Sequence, residues 1–237
     1  MSRFAITNLG WVLPGGVGSG AQVLTDASLL DWTVADNATL VDFSAKPYLS
    51  SVKGYLDPAG SYCLAACALA LGEPTGNQTH ERSGIATVTR YGAAQSARKF
   101  HEQLVAKGAR YASPLIFPHG YANTAGNLAA IEFGFGGPHV VLQGRQDVRE
   151  ALDFALVRLE TGDADEMLVA TYEATDEISL PDGMATQNGA LAIRLVAAGP
   201  GALLELDRER LWAAPTPDLE TGSVTALLAL LQGLAQS

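Results

Sequence analysis

Only two cysteines occur in the 237 residues, and both stand in the apolar run SYCLAACALAL as Cys63 and Cys67. A disulfide framework is thereby excluded, and so apolar a setting is unsuited to a metal site; the pair suits a reducing cytoplasm. Positive charge is scarce as well: 15 Lys and Arg stand against 25 Asp and Glu, a net charge of -10. Such a chain repels a phosphate backbone unless a local basic patch intervenes, and none is visible, so nucleic acid is excluded as a partner. No apolar run reaches the ~20 residues that a bilayer span needs. A secretory leader is not expected either, because Asn8, Pro14 and four glycines interrupt the uncharged stretch after Arg3.

What is present is enough apolar residue for a real core, 48% of the chain. Repeats and low-complexity segments are missing, and no persuasive linker precedes AAPTPDLETGS, so a single domain over residues 1–237 is the simplest account. RFAITNLGWVL alternates as a strand does, and the following PGGVGSG reads as a loop. Gly15, Gly16, Gly18 and Gly20 lack the G-x-G-x-x-G spacing of a dinucleotide site. DPAGSYCLAACALALGE predicts a turn and then a helix of small apolar residues buried on most sides. RSGIATVTRYG predicts a strand and AAQSARKFHEQLVAKG an amphipathic surface helix ending at Gly108. TAGNLAAIEFG predicts a short helix packed closely on another backbone. GALAIRLVAA and GALLELDRERLW read as neighbouring strands joined at Gly199-Pro200, too close for a crossover helix and therefore paired antiparallel. Strands alternating with helices predict an α/β sandwich with a mixed sheet.

The final stretch, residues 221–237, predicts an apolar terminal helix capped by Ser223 and carrying Leu227, Leu228, Leu230, Leu231 and Leu234. Left in water, these leucines would forgo roughly 1.5–3 kcal/mol each. Burial against this chain or against a partner is expected.

One segment has the layout of a reactive turn. In GGPHVVLQGRQDVREALDFALVRLETGDADEMLVATYEA a strand from His139 to Leu142 runs into Gly144, and a helix begins near Asp147. The tip of such a helix stabilises a thiolate or an oxyanion. Where a Cys or Ser would be wanted stand Arg145 and Gln146. An amide cannot ionise or attack a carbonyl carbon, so covalent acyl transfer from this turn is excluded. Val148, Ala151, Leu152, Phe154, Ala155, Leu156, Val157 and Leu159 predict a helix buried on more than one face. The same layout also fits an ordinary crossover of a parallel sheet, in which none of these residues is functional. His80, His101, His119 and His139 lack metal-ligand spacing, so neither a metal nor a cofactor is expected. Ser113 lacks the Gly-x-Ser-x-Gly elbow, and the two cysteines sit in an apolar helix that keeps a thiol inert.

The order YASPLIFPHGYANTAGNLAAIEFGFGGPHVVLQGRQDVREALDFALVRLETGDADEMLVATYEA resembles the β-ketoacyl synthase family, in which a Ser-Pro loop, an Asn-containing helix, a Gly-Pro strand, the active Cys and a G-D-A-D turn before an E-A strand end follow one another. FSAKPYLSSVKGYLDPAGSYCLAACALAL and AITNLGWVLPGG extend the likeness more weakly upstream. It covers most of residues 1–205 and is most specific over 112–174. Counted from Gly137-Pro138, the family's Cys falls on Gln146, an exchange similar to that of chain-length factors, the non-condensing partners of ketosynthases in type II polyketide systems.

The resemblance implies a thiolase-like half, an α/β mixed five-stranded sheet with helices on both faces. The chain stops near half the family's length, so the C-terminal half and its two catalytic histidines are expected to be absent. The implied activity is none of its own: a silent subunit that pairs with an active ketosynthase in polyketide, aryl polyene or fatty-acid-like synthesis, with an acyl carrier protein as a further contact. The implied seam is His139, Val140, Val141, Leu142 and Gln143; Leu115, Ile116, Phe117 and Asn123 would reach the partner and its acyl tunnel. SPLIFP read from its residues alone is equally a buried turn fixed by two prolines. Two other functions stay open. One is an acyl-thioester enzyme, an acyltransferase, thioesterase or decarboxylase, using other groups in the same pocket; the other is a homodimeric scaffold or ligand-binding module.

Overall fold

The computed structural model describes residues 3–51, 54–72, 80–144, 147–176, 180, 184–218 and 220–237. The alternating N-terminal segment forms β1 (Phe4–Leu13) and turns directly into β2 (Gly16–Ser19), so the glycine-rich stretch is the second arm of a hairpin, not a loop. Glycine permits this: a Cβ on Gly18 would stand 2.6 Å from the Trp11 ring. After a series of 3-10 turns comes α1 (Pro58–Leu71). Its start is set by Asp57, whose carboxylate accepts from Ala59 N–H, and by Pro58 in the first turn; Gly72 at φ 87° ends it. There follow β3 (Ser83–Thr89), α2 (Ala94–Lys107), α3 (Thr124–Glu132), β4 (His139–Gln143), α4 (Val148–Glu160), β5 (Glu166–Glu173), β6 (Gly189–Ala197), β7 (Leu204–Leu206), α5 (Arg208–Ala213) and α6 (Ser223–Gln236).

Among the described residues the strands form one seven-stranded sheet in the order β2-β1-β6-β5-β3-β4, with β7 also on β1. β4, β3 and β5 run parallel, and β6 and β1 antiparallel to their neighbours. The expected five-stranded mixed sheet is the run β1-β6-β5-β3-β4, and β2 and β7 add short pairings along the outer edge of β1. One expectation is corrected. β6 and β7 do not pair with each other; they flank β1, so that Phe4 faces Ala197 on one side and Leu206 on the other. The open edge of β1 takes the returning chain, which satisfies N–H and C=O groups that a β6–β7 hairpin would have left bare. The RERLW stretch is not strand but α5, because the Asp207 side chain accepts from Arg210 N–H and starts a helix there.

Alternation along β5 divides the core between two faces. Met167 and Val169 join the apolar residues of α4, α5 and α6 on one side, while Leu168, Ala170 and Tyr172 meet α1 and α3 on the other. On the second side the backbones nearly touch: a Cβ on Gly10 of β1 would lie 2.3 Å from the Ala66 carbonyl oxygen and 2.4 Å from Ala70 N. The small residues of α1 are what permit that approach. Gly10→Ala is expected to lower the unfolding free energy by about 2 kcal/mol through overpacking; urea melts against Gly54→Ala, a position with open space around it, measure the difference.

α4 buries one face, Val148, Ala151, Leu152, Ala155 and Leu156, while Phe154, Val157 and Leu159 are only partly covered. Burial on more than one side therefore holds in part. Arginines lie over the outer aromatic rings of this layer, Arg158 over Phe154 and Arg149 over Trp212, each 4.9 Å from the ring centre. Beside α4 lies α6, with Val224, Ala226, Leu227, Leu228, Leu230, Leu231 and Leu234 all buried. The terminal helix thus packs within its own chain. Its cap is Gly222 at φ 97°, and Ser223, expected as the cap, is the first helical residue.

Candidate functional site

β4 pairs with β3 alone among the described residues and forms one edge of the sheet. Ile85 N–H donates to Pro138 O at 2.9 Å and Gly144 N–H to Thr89 O at 3.0 Å, which fixes the two ends of the ladder. In a parallel ladder alternate residues turn their N–H to the same neighbour. Val140, Leu142 and Gly144 therefore face β3, and the N–H groups of His139, Val141 and Gln143 face outward from the sheet. The side chains alternate too: Val140 and Leu142 pack on the α4 side, while Val141 and His139 lie beneath Gly126 of α3, where a Cβ would come within 3.2 and 3.3 Å of them. Burial lowers the pKa of His139 below its ordinary value.

The strand ends at Gly144, whose φ of 92° turns the chain. α4 starts behind it on Asp147, which accepts from Arg149 N–H at 2.9 Å. The turn expected from the sequence is therefore built as strand, glycine and capped helix. Arg145 and Gln146, the latter the position at which the resemblance implies the family's Cys, lie outside the described residues.

A second wall comes from the chain between α2 and α3. Tyr172 donates its hydroxyl to Ala122 O at 2.7 Å, and a Cβ on Gly92 would stand 2.9 Å from the Ala122 methyl and 3.6 Å from Gln143 Nε2. That contact brings the segment before α3 against the end of β4. Upstream of it, Ser113 N–H donates to Gln103 Oε1, and Phe117 packs between Phe100 and Tyr121 with ring centres 5.0 and 5.3 Å apart. SPLIFP is not a buried turn: Leu115 is 71% and Phe117 48% exposed, and Tyr111 and Tyr121 are exposed with them, while Ile116 is half-buried. Asn123 is exposed where α3 begins and borders a shallow depression of about 440 Å3 with Tyr121, Asn127 and Leu128.

Sequence reasoning passed over the residue that ties this end of the sheet together. Glu173 ends β5 fully buried. One of its oxygens accepts from Arg90 N–H at 2.7 Å, Ser223 N–H at 3.1 Å and the Ser223 hydroxyl at 2.6 Å; the other accepts from Tyr91 N–H at 3.1 Å and the Thr89 hydroxyl at 3.3 Å. Burial raises its pKa, and the hydrogen bonds from Ser223, Arg90 and Tyr91 oppose that. Its sequence signals were an acid closing the apolar run EMLVATYE and the E-A strand end of the resemblance, neither of which shows its partners. Arg149 was also missed, because its partners Ala214 O and Thr216 Oγ1 lie far along the chain.

The Cys63 thiol and the two serines that face buried carboxylates each have a partner inside the fold. Hydrogen bonding to Cys67, then burial, holds the Cys63 thiol well above its usual range, so it stays protonated. Ser223 and Ser96 donate to the buried carboxylates Glu173 and Asp57, but all four groups are sealed from solvent and serve helix starts. His80 packs on Phe135 and His119 on Tyr55, each edge to face. Among the described residues no group of three or more His, Cys, Asp and Glu could hold a metal ion, and no helix is long and apolar enough to cross a membrane.

No family model matches the chain, and no curated protein sequence does either. Solved structures do. The ishigamide ketosynthase/chain length factor superposes with a TM-score of 0.59 and 20% identity over 92% of this chain and 65% of its own. A type II polyketide acyl-carrier protein in complex with its ketosynthase bound to the hexaketide, AntDE:AntF, gives a TM-score of 0.68 and 16% identity over 87% of this chain and 67% of that one. The ketosynthase ApeO in complex with its chain length factor ApeC from Xenorhabdus doucetiae gives 0.51 and 16% identity over 84% of this chain and 81% of that one. The chain spans about two thirds of the first two, a larger share than the near-half implied by its sequence. This chain has the thiolase-like α/β fold of the ketosynthase and chain-length-factor complexes it matches.

Proposed function

We propose that residues 1–237 act as one ketosynthase-like domain, a catalytically silent subunit of the chain-length-factor kind that pairs with an active β-ketoacyl synthase during polyketide, aryl polyene or fatty-acid-like synthesis. The observation that carries this reading is the open edge of β4, with outward N–H groups in a row, together with the exposure of Leu115 and Phe117 on the segment before α3. An edge strand of this kind is completed by a partner strand. The partner covers the row from His139 to Gln143, and Leu115, Ile116, Phe117 and Asn123 extend over its acyl channel. Gln146 offers no nucleophile, so the partner's thiolate carries the substrate and an acyl carrier protein delivers to the partner.

Co-expression with a Cys-containing β-ketoacyl synthase, followed by size-exclusion chromatography with light scattering, is expected to give a 1:1 complex. Intact-mass measurement after incubation with acyl-carrier-protein thioesters is expected to place the acyl group on the ketosynthase alone. Separate elution of the two chains removes the pairing, and a covalent adduct on this chain makes it an enzyme in its own right.

A further inference from the structure

A groove of about 680 Å3 runs between α6 and the strap that follows α5. Its walls are apolar, with Ala213 at the end of α5 and Pro215 and Pro217 on the strap opposite Ala229, Leu230 and Gly233 on the helix. The strap is held away from α6 instead of collapsing onto it. Arg149, anchored by Asp147 at the start of α4, donates to Ala214 O and to Thr216 Oγ1 at 2.9 Å each, and Pro215 between these anchors and Pro217 after them stiffen the strap. The helix side is kept open by Gly233, around which an added Cβ would meet nothing within 4 Å.

The ends of the groove differ in charge. Arg210 stands beside the last turn of α6, where its guanidinium donates to Leu234 O and the Ser237 hydroxyl and, outside the groove, to Glu205 O. All three acceptors are neutral, and no carboxylate among the described residues pairs with it. Asp218 lies at the far end of the strap, where the chain returns toward the start of α6. A cation without a counter-ion at one end, apolar walls between and an acid at the other end together orient an anionic amphiphile. The volume falls within the range of small-molecule sites.

We propose that this groove binds a medium-chain fatty carboxylate, its head on Arg210 and its hydrocarbon chain along Ala229 and Gly233. The site is separate from the β4 edge and does not depend on pairing with a ketosynthase. Titration of the full chain with carboxyl-13C-labelled decanoate, followed by NMR and calorimetry, is expected to show saturable one-to-one binding and a shifted carboxylate resonance. Gly233→Phe, which fills open space, is expected to weaken binding at least about tenfold with an unchanged melting midpoint. Arg210→Gln is expected to weaken decanoate by about as much while leaving decanol binding as it was. Absence of saturable decanoate binding, or binding untouched by Gly233→Phe, overturns the site. Decanol bound as tightly as decanoate, with Arg210→Gln changing neither, overturns the head-group assignment.

Discussion

Val141→Pro is expected to weaken assembly with the ketosynthase partner at least about a hundredfold, ~2.7 kcal/mol, while the chain itself stays folded. The argument is one of direction. Val141 sits in the middle of β4 with its N–H turned away from β3, so proline there removes a donor from the open edge and places a ring where a partner strand would approach. Val140→Pro, one residue earlier, is the counterpart: its N–H faces β3, and its loss is expected to cost about 3 kcal/mol of stability instead. Light scattering of the co-expressed pair and urea melts of the isolated chain separate the two effects. An undiminished heterodimer with Val141→Pro would show that the partner does not bind along β4. Leu115→Asp and Phe117→Asp are expected to act in the same direction as Val141→Pro, because both side chains stand in water on the segment proposed to reach the partner.

Glu173→Ala is expected to be the most damaging single change to the fold, at about 4 kcal/mol. It leaves the N–H groups of Arg90, Tyr91 and Ser223 without this acceptor in a site closed to water, each costing about 1–3 kcal/mol before relaxation, while the Thr89 and Ser223 hydroxyls keep Tyr172 O at 2.7 Å and Val88 O at 3.3 Å. The five bonds join the end of β3, the end of β5 and the first turn of α6, so their loss loosens three elements at once. Glu173→Gln is expected to recover part of the loss, because its carbonyl oxygen still accepts while its NH2 group faces donors. Urea denaturation at neutral pH measures both, and a Glu173→Ala chain as stable as the parent would mean that water replaces the carboxylate.

The elements legible in the sequence were those with local causes. Asp57-Pro58 started α1, Gly108 ended α2, Gly144 and Asp147 framed the turn into α4, and the leucines of α6 announced a buried face. What could not be read was decided by partners distant in sequence. β6 and β7 looked like a hairpin because nothing near them shows that β1 has an edge waiting on each side. Ser223 had the chemistry of a cap, yet its hydroxyl was drawn inward by Glu173, fifty residues earlier. PGGVGSG looked like a loop because glycine hides the pairing with β1 that its small size permits. At the candidate site the strand, glycine and capped helix were all foreseen, and the exposure of Leu115 and Phe117 was left between two readings that only packing could separate.

The flanking of β1 on both sides bears on how this polypeptide leaves the ribosome. Phe4 pairs with Ala197 and Leu206, both of which are made long after it. Apart from its short hairpin with β2, the strand has to wait for β6 and β7 before its hydrogen bonds can close. Closing loops of that length makes folding slow and late, and keeps the apolar β1 segment accessible to chaperones until β6 and β7 have emerged.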